Sequence, residues 1–224
     1  MPSSKLPIIP SALSSLPSSS QSSSPPPVIA PALSPTLLPV LLPALLPDYA
    51  ELFCLSNFTF LQGASHAEEL VQRAQELGYA ALAISDECSL AGVVRAHAAA
   101  KKHGLPLIIG AHFEVQASSH GPALRLLALA RNRNGYGNLS ELITLARTRA
   151  EKGHYLLTTS DFCGGTLPHL QDLPDCLLIL LPDYPATSDV LNAQAAWLAQ
   201  TFPGRGWIGL NLLHRVHDER HRAE

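Results

Sequence analysis

Two apolar runs with no polar alternation, AALAIS at Ala80–Ser85 and LPLIIG at Leu105–Gly110, constrain the fold of this chain most. A strand that is apolar at every position must be covered on both faces, and such strands belong to parallel sheets flanked by helices. The sequence between the runs supplies those helices. Ser65 and Glu68 have the spacing of a capping box, Leu70, Val71, Ala74 and Leu77 share one helical face, and Gly78 suits a left-handed stop. Ser89 is placed to cap a second helix through Val93, Val94 and a string of alanines to His103, with Gly104 ending it. With a first apolar strand at Glu51–Leu55, the order is β–α–β–α–β. That order demands parallel strands joined by right-handed crossovers.

The alternation continues. Leu124–Ala130 reads as a strand, Asn138 as the cap of a helix through Ala150, Leu177–Leu181 and Trp207–Leu212 as strands, and 189–201 as a helix between them. A long alternation of this kind points to an α/β barrel with its chemistry at the carboxyl ends of the strands. An apolar content of 46% and a charged content of 15% suit such a protein.

Residues 1–47 are different in kind. Lys5 is their only charged side chain, and Ser and Pro dominate as far as Pro27. The stretch from Val28 to Pro47 is apolar, but prolines at 31, 35, 39, 43 and 47 break any membrane-spanning helix. The segment is expected to be a disordered Pro/Ser/Leu-rich extension rather than a signal or anchor. Four scattered cysteines (Cys54, Cys88, Cys163, Cys176) form no CxxC pair, which favours reduced thiols in the cytoplasm over a zinc site. A formal net charge of −3 gives no global basic field, so tight sequence-blind nucleic-acid binding by the chain alone is not expected.

Several long phrases carry a family likeness: YAEL at Tyr49–Leu52, LSNFTFLQGAS at Leu55–Ser65, ELGYAALAISDECSLAGVVRAH at Glu76–His97, and LIIG at Leu107–Gly110. RNRNGYGNLSELITLARTRAEKG at Arg131–Gly153 and WLAQTFPGRGWIGLNLL at Trp197–Leu213 extend it. Across residues 48–213 the chain resembles the PHP (polymerase and histidinol phosphatase) domain at the front of bacterial C-family DNA polymerases, in their error-prone, translesion branch. The resemblance implies a distorted seven-stranded (β/α) barrel, of which this chain holds roughly the first five units. The polar stretch 214–224 then reads as a cut end, and the open barrel is expected to self-associate through its exposed edge. The implied whole protein is a DNA-directed DNA polymerase acting in DNA damage and repair. Its Mg²⁺ would sit in a polymerase region absent here, and its partners would be DNA and replication proteins such as the sliding clamp. No cofactor is expected for this chain.

Active members of the family resemble a trinuclear metal centre of His and carboxylates. The His-x-His motif after the first strand corresponds here to Phe53 and Leu55, the following acidic position to Gln62, the Asp-His motif to Asp86 and Glu87, and a later Glu to His112. Phe and Leu offer no lone pair. Asp86, Glu87 and His112 remain as weak metal candidates, and the favoured reading of Asp86 is that it bonds loop amides or a helix start. The resemblance thus implies a degenerate site and a supporting role, the alternative being a metal-dependent phosphoesterase or 3′–5′ exonuclease. Arg131, Arg133 and Tyr136 form a basic–aromatic group that suits either a nucleic-acid contact or a solvated turn. His214, His217 and His221 have helical ligand spacing at a polar terminus.

Overall fold

The computed structural model describes residues 48–183, 185–212 and 218–223. The extension 1–47, with the disorder expected of it, lies outside the described residues, as do His214 and His217. Strands β1 (Ala50–Cys54), β2 (Ala81–Ile84), β3 (Leu107–Val115), β4 (Leu124–Ala130), β5 (Cys176–Leu180) and β6 (Gly206–Ile208) form one six-stranded sheet in sequence order. The sheet curls into half a barrel. Helices α1 (Ala67–Glu76), α2 (Val93–His103), α3 (Arg133–Thr148) and α4 (Ser188–Thr201) accompany it, with a short α5 (Asp218–Ala223) in the tail.

The chain is therefore α/β, as the apolar runs require, but it is not parallel throughout. Pairs β1–β2, β2–β3 and β5–β6 are parallel, whereas β4 is antiparallel to both neighbours. The reason is length. Strand β3 runs past Gly110 to Val115, so only residues 116–123 connect it to β4. A parallel crossover needs a dozen or more residues, and a shorter connection can only turn back.

The helix starts also differ from expectation, each by a competing local bond. Helix α1 begins one residue later, where the Glu69 carboxylate accepts from the His66 N–H at 2.8 Å. Ser89 accepts from Ala91 N–H, but the helix starts after Gly92. Asn132, not Asn138, caps α3, its side chain accepting from Gly135 N–H at 3.0 Å. Asn138 lies inside that helix and donates to the Pro174 carbonyl.

The outer face of the sheet is buried twice over. Leu82 and Ile84 pack with Val71, Ala74 and Ala96 beneath α1 and α2. Phe113, Leu126, Leu178 and Leu180 pack with Leu139, Leu142 and Trp197 beneath α3 and α4. On the inner face, Ala83, Leu127, Leu129 and Leu181 are buried, while Leu52, Phe53, Ile108, Leu177 and Ile179 are only partly so. Trp207 and Ile208 on the last strand, and Leu210 and Leu212 beyond it, are exposed. No described helix is long and apolar enough to cross a membrane.

Candidate functional site

The carboxyl ends of the parallel strands β1, β2 and β3 bring five of the predicted positions together, because strands in register end side by side. Strand β2 leads directly into Asp86, which is 1% exposed. Its Oδ1 accepts from the Ser56 N–H at 2.7 Å and from the Thr59 hydroxyl at 2.8 Å, and its Oδ2 accepts from the Ser56 hydroxyl at 2.7 Å. Thr59 Oγ1 in turn accepts from Glu87 N–H. One carboxylate thus organises the loop after β1, and its lone pairs point into that loop. A buried carboxylate so supplied has its hydrogen-bonding capacity met by the protein itself.

The loop is tight as a consequence. Thr59 and Gly63 N–H close onto the Ser56 and Thr59 carbonyls at 2.9 Å each, and Asn57 N–H donates to Ser65 O at 2.8 Å. A Cβ on Gly63 would stand 1.9 Å from the Ser56 carbonyl oxygen, so only glycine fits there. At the loop tip Phe60 and Leu61 are exposed, and Leu61 is held at φ 67°, a conformation that β-carbon sterics disfavour.

His112 on β3 is also buried. Its Nδ1 lies 2.7 Å from the Ser85 carbonyl, which fixes that nitrogen as the donor in the neutral ring. Burial lowers its pKa below the ordinary value of 6.5. Phe53, at the position of an expected metal-binding histidine, meets the His112 ring edge-on, with centroids 5.2 Å apart. Leu55 follows the end of β1 and is half-buried.

Glu87 reaches the other way. Its Oε1 accepts from the Tyr155 hydroxyl at 2.9 Å and its Oε2 from the Gln62 amide at 3.2 Å. Tyr155, whose pKa is raised by burial, accepts from Glu114 N–H. Arg147 of α3 donates to the Glu87 and Cys88 carbonyls and lies over the Tyr155 ring at 5.3 Å. Burial pushes the Cys88 thiol up to about 11 and the Cys54 thiol to about 12, so neither offers a thiolate at neutral pH.

Among the described residues, no group of three His, Cys, Asp or Glu side chains could hold a metal ion. Of the expected positions, Phe53 and Leu55 are hydrocarbon, Asp86 faces its loop and Glu87 faces Tyr155. Gln62, Phe53, Asp86, Glu87 and His112 do meet in space. Arg131, Arg133 and Tyr136 lie elsewhere, at the start of α3 beside the first half of β3. The sequence reading missed Ser56, Thr59, Tyr155 and Arg147. The hydroxyls in the SNFT segment were the available signal for the first two, and nothing local marks the others.

The chain matches the PHP domain family over residues 51–172. It is 61% identical over 177 residues to the error-prone DNA polymerase of Bordetella bronchiseptica, covering 78% of this chain and 17% of that protein. It is 55% identical over 178 residues to the error-prone DNA polymerase of Ralstonia nicotianae, covering 79% and 17% respectively. The chain therefore spans about a sixth of the length of these relatives. Among solved structures, a Bifidobacterium adolescentis chain assigned to the metal-dependent phosphoesterases superposes with a TM-score of 0.47 at 15% identity, covering 79% of this chain and 82% of its own. The half-barrel, the strand-end cluster and the family match over residues 51–172 agree, and this chain belongs to the PHP domain family.

Proposed function

We propose that this chain is the PHP portion of an error-prone, translesion DNA polymerase induced by DNA damage, and that its own strand-end site is a structural brace without a catalytic metal. The observation that carries the reading is the full engagement of Asp86 by Ser56 and Thr59, with the Phe53 ring set against His112. A carboxylate spent on holding a loop stabilises the domain and does not activate water. The rigid tip bearing exposed Phe60 and Leu61 supports the same role, because a brace needs apolar surface to set against a polymerase body. In this reading nucleotide addition and its Mg²⁺ belong to the part of the relatives that this chain does not span. Contacts with the sliding clamp and other replication proteins, and a cytoplasmic location, belong to the same proposal.

Metal content tests it. Purified protein loaded with zinc or manganese and then dialysed should retain well under one equivalent by elemental analysis, and should not hydrolyse a phosphodiester. Retention of two or three ions per chain together with hydrolysis would replace the brace with a phosphoesterase or 3′–5′ exonuclease.

A further inference from the structure

Between α2 and the start of α3, the outer cover of the half-barrel has a seam. Helix α2 packs with β2 in one core cluster and α3 packs with β4 and β5 in another, and the first half of β3 lies between the two. The seam is a groove of about 580 Å³. Its floor is Leu107 and Ile109, one wall is Val94 and His97 of α2, and the other is Arg131 to Tyr136. Val94 is 78% exposed and Tyr136 39%, so a strip of apolar and aromatic surface faces water here.

The charges on its rim are of one sign. Arg131 and Arg133 are exposed, and among the described residues neither guanidinium has an ion-pair or hydrogen-bond partner. No carboxylate lines the groove. Asp175, near the base of α3, is engaged by the Asn132 amide at 2.9 Å. Arg73, Arg95, Arg125, Arg149 and Arg205, by contrast, all have acidic partners.

We propose that this groove binds single-stranded DNA, with one or two bases laid on Val94 and Tyr136 and the adjoining phosphates held by Arg131 and Arg133. The proposal rests on the reading of the chain as part of a DNA polymerase. An apolar floor gains only from a ligand with an exposed flat face, and unpaired bases have one while duplex bases do not. An apolar peptide would bury two guanidiniums with no countercharge, which costs more than the contact returns. Phosphates supply that countercharge, and arginine suits them through its planar fork of donors. The chain's net charge of −3 limits the effect to this local site, so binding is expected to be weak and salt-sensitive.

The test is fluorescence anisotropy of a labelled thymidine oligonucleotide, about twelve nucleotides long as a single strand of this kind needs, against the 224-residue chain. Two phosphate contacts predict a slope of log affinity on log salt of about −1.4. Arg131→Gln/Arg133→Gln should bring that slope close to zero and weaken binding at least roughly tenfold, since each contact is electrostatic. Tyr136→Ala should weaken binding by roughly tenfold with the slope unchanged, because it removes stacking alone. Thermal unfolding of each variant shows that the domain is intact, and Arg131→Lys/Arg133→Lys should restore the slope. Four outcomes overturn the proposal: no binding by the unaltered chain, equal binding by the glutamine variant, a preference for duplex, or indifference to Tyr136→Ala. Metal retention and phosphodiester hydrolysis are read on the same preparation. Their appearance would defeat the brace reading while leaving the oligonucleotide result to stand or fall separately.

Discussion

The strand ends around Asp86 and the seam around Arg131 hold polar groups in opposite ways. At the first, a buried carboxylate meets three donors, and the Asn57, Thr59, Gln62 and Gly63 amides close on backbone carbonyls. At the second, two guanidiniums stand in water beside apolar surface with no partner on the described chain. Groups that satisfy one another do structural work, whereas groups left unsatisfied at little cost on a surface are free to meet something else. The family likeness draws attention to the first region. The unmet chemistry lies in the second.

The contrast can be broken by mutation. Asp86→Ala should have the largest effect. A helix cap alone would be worth about 0.5–2 kcal/mol, but here the Ser56 N–H and two hydroxyls would be orphaned in a dry pocket, so about 3–5 kcal/mol should be lost in urea unfolding. A loss below about 1 kcal/mol would mean that the carboxylate is not the organiser of the loop.

A smaller effect comes through pH. Burial holds the folded-state pKa of His112 below its unfolded value near 6.5, so the unfolded chain takes up the proton first. The neutral ring's contribution is therefore complete above about pH 6.5 and is lost as pH falls from there through the lower folded pKa. Comparing unfolding free energies of the unaltered chain and His112→Asn across that window should show a flatter dependence in the variant. An identical slope would mean that the ring is hydrated when folded.

The smallest effect belongs to the seam. Arg131→Gln/Arg133→Gln should change unfolding free energy by no more than about 0.5 kcal/mol, as for exposed side chains without partners. A larger loss would show that these arginines hold the start of α3, and the comparison would collapse into two structural regions.

Much of this was legible in advance, for physical reasons that stop at a definite point. Leu124–Ala130 and the stop of α2 at Gly104 follow from local signals: an apolar run and a glycine at φ 70°. Strand β3 was cut short at Gly110 because AHFEV alternates, having Ala111, Phe113 and Val115 under the helices and His112 on the other face. That misreading concealed the hairpin, and with it the antiparallel β4. At the site, the positions themselves could be read from the family likeness, but their bonding could not. Asp86 meets Ser56 across 30 positions and Glu87 meets Tyr155 across 68, and no local pattern encodes such pairs.

The Phe60–Leu61 tip carries one more consequence, for proteolysis. Both residues are exposed and of the kind that chymotrypsin-like proteases prefer. A protease must draw its substrate into an extended strand, and here that means undoing the Thr59 and Ser56 bonds to Asp86. Cleavage at the tip is then governed by how often the loop opens rather than by how much of it water can touch. An accessible peptide bond in this loop is a clock for the Asp86 network.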